Sequence, residues 1–280
     1  MIRFYSTNKK SPGAGFSEAV IRGIAPDGGL FMPETVERLP QRFFSSLDRL
    51  SFPEMAFQIA EAFLRGAINS QDLKTIVYDA IDFDAPLAEV GERVWALELF
   101  HGPTLAFKDF GARFLARTLA YITKDADREI TVLVATSGDT GSAVAQGFYR
   151  VPGIRVCLLY PSGKVSYIQE QQLTTLGENI TAVEVEGTFD DCQRMVKEAF
   201  ADPRLGGEIQ LTSANSINIA RLLPQMFYYF YAYAQLEDKS RPLVFSVPSG
   251  NFGNLTAGLL AWKMGLPAAR FVAATNRNDV

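Results

Sequence analysis

Apolar and polar positions follow two different rhythms along the 280-residue chain. Up to about residue 90, apolar residues come in short helix-spaced groups broken by turn residues. The segment APDGGLFMP carries Pro26, Gly28, Gly29 and Pro33, residue types that fix or free the backbone and so punctuate regular structure. SFPEMAFQIAEAFLRG opens with Ser51 and Glu54, the pair that closes a capping box at a helix start. From residue 94 compact apolar runs alternate with helix-period runs. VWALELF is followed by DFGARFLARTLAYI, EITVLVATS by TGSAVAQGFYR, IRVCLLYP by SYIQEQQLTTLG, and ITAVEVEG by FDDCQRMVKEAFAD. EIQLTS, the long helix candidate SINIARLLPQMFYYFYAYAQL, PLVFSVPS, FGNLTAGLLAWKMG and RFVAAT complete the series. Val/Ile/Leu-rich strands separated by helices predict an α/β fold with a parallel sheet covered on both faces. The aromatic run 226–233 falls in a helix-period segment interrupted by Arg221, Pro224 and Gln225. It reads as a core helix rather than a membrane span or a stacking platform for bases.

Composition narrows the function classes. A hydrophobic content of 48% is ample for a buried core. The net charge of −4 arises from 27 basic and 31 acidic residues scattered without a basic block, which argues against a nucleic-acid partner. Cys157 and Cys192 have neither a CxxC spacing nor a nearby histidine. They read as free thiols in a reducing compartment, with no metal site. The N-terminus lacks a signal peptide's apolar core, and no run reaches membrane-spanning length, so no membrane partner and a cytoplasmic location are expected.

Three loops fall where a strand hands over to a helix, the place where ligands bind in open parallel sheets. FHGPTLAFKDF carries Lys108, an amine between apolar runs at a helix start. Desolvation and the positive helix end both lower such a lysine's pKa, which makes it a candidate nucleophile. ATSGDTGSA offers Ser137, Gly138, Asp139 and Thr140; PSGNFGNLTAG offers a glycine-bracketed turn, Gly250, Asn251, Phe252, Gly253 and Asn254, suited to cradle an anion. Neither loop fits a dinucleotide or nucleoside-triphosphate fingerprint. A desolvated lysine, a phosphate cradle and a loop suited to a carboxylate are together the parts that hold pyridoxal phosphate and present an amino acid to it.

These motifs, with NSINIARLLPQ and the opening segment YSTNKKSPGAGFSEAVIRGIAPDGGLFMPE, closely resemble threonine synthases of the bacterial and fungal branch. The resemblance covers essentially the whole chain and implies a fold-type-II pyridoxal-phosphate enzyme, similar to the tryptophan synthase β chain. An N-terminal domain would span 1–95, a large cofactor domain 96–124 with 206–280, and a small α/β domain 125–205. The implied reaction turns O-phosphohomoserine and water into L-threonine and phosphate, a lyase step of amino-acid biosynthesis. Lys108 resembles the lysine that binds the cofactor and moves protons. Gly250, Asn251, Phe252, Gly253 and Asn254 resemble the cofactor-phosphate loop, and Asp139 the residue near the cofactor's 3′ oxygen. Ser137, Gly138 and Thr140 resemble the loop that receives the substrate carboxylate, and Asn215, Ser216, Asn218 and Arg221 the group that holds the substrate phosphate. His101, the only histidine, reads as a structural turn residue, because a lysine can do the proton work. A monomer or weak homodimer is expected. Family members continue well beyond FVAATNRNDV, so the chain is expected to be C-terminally truncated, lacking the hydroxyl residue that faces the pyridine nitrogen. A phospholyase ending at 2-oxobutyrate and a non-catalytic cofactor-binding remnant are the competing readings.

Overall fold

The structure, a computed structural model, describes residues 2–126 and 128–276; residues 277–280 of the FVAATNRNDV stretch lie outside the described residues. The N-terminal part contains strands β1 (Arg3–Ser6) and β2 (Ala14–Gly15), helix α1 (Phe16–Arg22), strand β3 (Phe31–Pro33) and helices α2 (Gln41–Phe44), α3 (Phe52–Leu64) and α4 (Ser70–Ala80). Its three strands form an antiparallel sheet in the order β2-β1-β3. The capping box forms: Glu54 Oε2 accepts from the Ser51 backbone N–H at 2.8 Å and its hydroxyl at 2.7 Å. Such pairing satisfies N–H groups that a helix start would otherwise leave open.

Strands β4 (Leu87–Gly91) and β5 (Val94–Leu97) follow. The run VWALELF thus belongs to an antiparallel hairpin rather than the parallel sheet, paired with the strand just before it. A short connection allows only antiparallel return, since parallel strands need a crossover. Helix α5 (Lys108–Thr123) begins the regular alternation, continued by β6 (Ile130–Ala135), α6 (Asp139–Phe148), β7 (Ile154–Pro161), α7 (Tyr167–Thr174), β8 (Ile180–Val185), α8 (Phe189–Ala201), α9 (Pro203–Glu208) and β9 (Gln210–Thr212). These strands form one parallel sheet in the order β8-β7-β6-β9. Ile130, Val132, Val134 and Leu158 are fully buried between its helices.

Beyond it lie α10 (Ile219–Leu222), α11 (Gln225–Gln235), β10 (Leu243–Pro248), α12 (Gly253–Lys263) and β11 (Ala268–Ala274). The sequence predicts one long helix over SINIARLLPQMFYYFYAYAQL, whereas the structure holds two. Pro224 lies between them, and its ring excludes a regular helical hydrogen bond there. The aromatic run is the core helix the spacing predicts: Met226, Phe227, Tyr228, Tyr229 and Phe230 are buried, and Phe114 and Phe43 pack on it edge-on. Strands β10 and β11 form a separate two-stranded parallel sheet. It is not covered on both faces as the strand composition predicts, since Val244 and Val272 are exposed. Cys157 and Cys192 are free. Among the described residues no helix is long and apolar enough to cross a membrane.

Candidate active site

The turn before α5 is folded back on its own helix. Asp109 is buried and accepts from the Thr104 backbone N–H at 2.9 Å and its hydroxyl at 2.6 Å. This brings Lys108 to the first helical position with its side chain only 27% exposed. Burial lowers the Lys108 pKa, Asp139 pulls it back up, and the charge of Arg221 lowers it again. The depression expected from sequence is present, with desolvation as its main cause. Lys108 Nζ stands 3.8 Å from Asp139 Oδ2.

The loop from β6 into α6 is tied by one buried side chain, and its Ser137, Asp139 and Thr140 N–H groups meet no acceptor among the described residues. Buried Thr136 accepts at Oγ1 from the Gly138 and Gly141 N–H groups, at 3.2 and 2.8 Å, and donates to the Gly138 carbonyl at 3.0 Å. Gly138 is required by its backbone, φ 157°, which other residues rarely adopt, and the Gln169 amide lies close against it. The Nε2 of that amide donates to Asp139 Oδ1 at 2.7 Å.

The loop from β10 into α12 is tied by an amide instead of a hydroxyl. Asn254 ties it from behind: Oδ1 accepts from the Ser249 hydroxyl at 2.6 Å and the Leu255 N–H at 2.9 Å, while Nδ2 donates to the Pro248 carbonyl at 2.9 Å. The Tyr229 hydroxyl donates to the Asn254 carbonyl at 2.8 Å, which fixes the loop to the core helix. Phe252 adopts the left-handed conformation, φ 54°, at the N-cap of α12. Among the described residues, the N–H groups of Gly250, Asn251 and Phe252 meet no acceptor, and a Cβ at Gly250 would meet open space. Successive free N–H groups at a helix start favour an anion.

Between β9 and α10 the chain turns at Asn215 and Ser216. Asn218 braces this turn: its Nδ2 donates to the carbonyls of Ser213 at 3.2 Å and Val20 at 2.9 Å, and its Oδ1 caps α10 by accepting from the Ala220 N–H at 3.0 Å. Arg221 is 3% exposed, and its Nη1 donates to the Ala214 carbonyl at 2.6 Å. Helix α5 admits it because of Gly111, whose Cβ would lie 2.7 Å from the Arg221 carbonyl. Burial lowers the guanidinium's pKa to about 10, with the Asp109 carboxylate opposing. Its Nε is buried without an acceptor among the described residues, so it keeps donor capacity in hand.

One cleft of about 1000 Å³ gathers these parts. Lys108, the residues Ser137 to Thr140, the pair Asn215 and Ser216, and the residues Gly250 to Phe252 all line it. Gly253, Asn254, Asn218 and Arg221 stand outside that lining. An amine able to condense with an aldehyde, facing a cradle for a phosphate, fits pyridoxal phosphate as its occupant. His101 also lies away from the cleft lining, accepting or donating at Nε2 with Glu98 Oε2, 2.8 Å away. The sequence reading missed several residues that line the cleft, among them Gln169 from α7, Arg22 from α1 and Lys197 from α8. Only Gln169 carried a local signal, Ser166 three residues before it, which forms a capping box.

Comparison with known proteins agrees with this geometry. Residues 3–81 match the family described as threonine synthase N terminus, and residues 79–279 that of pyridoxal-phosphate dependent enzymes. The chain is 48% identical to the threonine synthase of Escherichia coli K12 over 99% of its own length and 65% of that relative, and 52% identical to that of Haemophilus influenzae over 94% and 61%. The crystal structure of pyridoxal-phosphate-bound threonine synthase from Brucella melitensis superposes with a TM-score of 0.94 at 38% identity, over 100% of this chain and 61% of that one. The chain therefore spans less than two thirds of the length of these relatives.

Proposed function

We propose that this chain, which belongs to the family of pyridoxal-phosphate dependent enzymes, acts as a threonine synthase, turning O-phosphohomoserine and water into L-threonine and phosphate. The observation that carries the reading is the half-buried Lys108 in one cleft with the unspent N–H groups of Gly250, Asn251 and Phe252. Pyridoxal phosphate, when bound, supplies an electron sink for charge developing on the substrate's carbon atoms. The chain's own residues do the rest. Lys108 Nζ, whose pKa burial lowers, removes and returns protons at the substrate's α and β carbons while phosphate departs from the γ carbon and water adds at the β carbon.

The N–H groups of Gly250, Asn251 and Phe252 hold the cofactor phosphate, with Gly253 and Asn254 shaping the loop from behind. Ser137, Gly138 and Thr140 receive the substrate carboxylate, and Asp139 stands near the cofactor's phenolic oxygen. Asn215 and Ser216 grip the substrate phosphate. Asn218 and Arg221 serve that grip by bracing the 213–216 turn. The division into 1–95, 96–124 with 206–280, and 125–205 belongs to the same proposal. The pairing of β9 with β6 supports counting residues 210–212 with the small domain as well. Small-molecule substrate, cytoplasmic location and a monomeric or weakly dimeric state complete it.

The test is to incubate the purified chain and pyridoxal phosphate with O-phosphohomoserine, and to quantify phosphate, threonine and 2-oxobutyrate together, with Lys108→Ala as control. Threonine formed in step with phosphate and lost in the control is the expected result. Phosphate with 2-oxobutyrate would replace the synthase by a phospholyase, and cofactor binding without product would leave a binding protein.

A further inference from the structure

Asp139 faces one amide donor and one amine, and contacts them unequally. Its Oδ1 accepts from Gln169 Nε2 at 2.7 Å, while its Oδ2 stands 3.8 Å from Lys108 Nζ. A charge-assisted bond between ammonium and carboxylate closes to about 2.7–2.9 Å when nothing opposes it. The amide is therefore seated at full contact on one oxygen, and the amine stands beyond that distance from the other. Gln169 does not reach Asp139 by chance of a mobile side chain. Its Oε1 accepts from the Ser166 N–H at 3.1 Å, and its own N–H donates to Ser166 Oγ at 3.3 Å, a capping box that fixes the start of α7. The amide also lies against Gly138, where a Cβ would be 2.7 Å from Nε2. Three separate features thus aim one carboxamide at one carboxylate oxygen.

We propose that Gln169 is a positioning residue that competes with Lys108 for Asp139 and so keeps the lysine out of a closed ion pair, preserving a free amine. The purpose rests on the functional reading above, in which Lys108 is the reacting amine; the contact itself does not. A lysine locked to a carboxylate holds its proton more tightly and is a poorer nucleophile. The charged groups around Lys108 come from several elements. Asp139 faces it from α6 and Arg221 from α10, Asp109 is its neighbour on α5, and Arg22 of α1 and Lys197 of α8 line the same cleft. Asp139 is the one acid whose distance from the amine Gln169 controls.

The test uses the full chain without cofactor or substrate, so its failure is distinguishable from failure of the threonine synthase reading. Lys108 is acetylated with a limiting amine reagent across a pH series, and the extent at Lys108 is read by peptide mass spectrometry. Gln169→Met, which keeps the side-chain length but removes the donor, should raise the pH of half-modification at Lys108 by about one pH unit. Ser166→Ala, which loosens the capping box but keeps the amide, should raise it less. Asp139→Asn should lower it, and adding Gln169→Met to Asp139→Asn should change nothing further, the mark of a shared partner. Should Gln169→Met misfold by circular dichroism, the Ser166→Ala shift decides. An unchanged or lowered midpoint in Gln169→Met, no shift in Ser166→Ala where that variant decides, or an equal shift with and without Asp139 would overturn the proposal.

Discussion

Two strand-to-helix loops of similar composition, 136–141 and 249–254, are tied by different side chains. In the first, the buried Thr136 hydroxyl takes up the Gly138 and Gly141 N–H groups, and those of Ser137, Asp139 and Thr140 meet no acceptor among the described residues. In the second, Asn254 anchors carbonyl and hydroxyl groups from behind, and the N–H groups of Gly250, Asn251 and Phe252 stay open toward the cleft. Glycine content alone does not separate them. The deciding feature is which neighbouring side chain ties the loop and which backbone groups it leaves.

The contrast can be broken at each end. Thr136→Val has the largest expected effect, because it strands buried N–H groups. Chemical denaturation should show a loss of about 2–3 kcal/mol, with cofactor-phosphate affinity per folded molecule nearly unchanged. Asn254→Ala should do the converse, costing about 2 kcal/mol in pyridoxal-phosphate affinity, roughly 30-fold, by titration of cofactor absorbance. A smaller melting shift should accompany it. If both variants weakened affinity alike, the two loops would not differ in the way described.

Asn218→Ala sharpens the comparison by removing a brace from a third loop. A cost of about 1 kcal/mol is expected for the lost cap, read by thermal melting, together with a raised KM for O-phosphohomoserine and little change in cofactor affinity. The smallest effect is a pH dependence. Burial lowers the Lys108 pKa from its ordinary 10.5, so between the folded-state value and 10.5 the unfolded chain binds a proton that the folded chain has released. Folding stability contributed by this group therefore rises with pH across that window, and Lys108→Met should flatten the rise in denaturation curves recorded from neutral to alkaline pH.

Much of the site was legible because its signals are local. Lys108 at a helix start and the two glycine loops each occupy a few consecutive residues, and the capping box of Ser51 and Glu54 needs only a four-residue window. Other features were not. The contact of Gln169 with Asp139 joins positions 30 residues apart, and the capping-box spacing after Ser166 marks Gln169 as a helix-start residue without pointing to that partner. Arg221 showed as a charged residue five positions after Ser216; its burial depends on the space left by Gly111 on another helix.

What the sequence by itself determined is therefore the order of elements, the chemistry carried at their junctions and the family that those junctions resemble, since capping, turn formation and apolar periodicity act over a few residues. Only the tertiary structure decided which junctions share a cleft, which polar atoms are consumed and which stay open, and how far Asp139 stands from Lys108. Those outcomes depend on packing between elements distant in the chain, where a buried donor must find its acceptor in whatever the fold brings beside it.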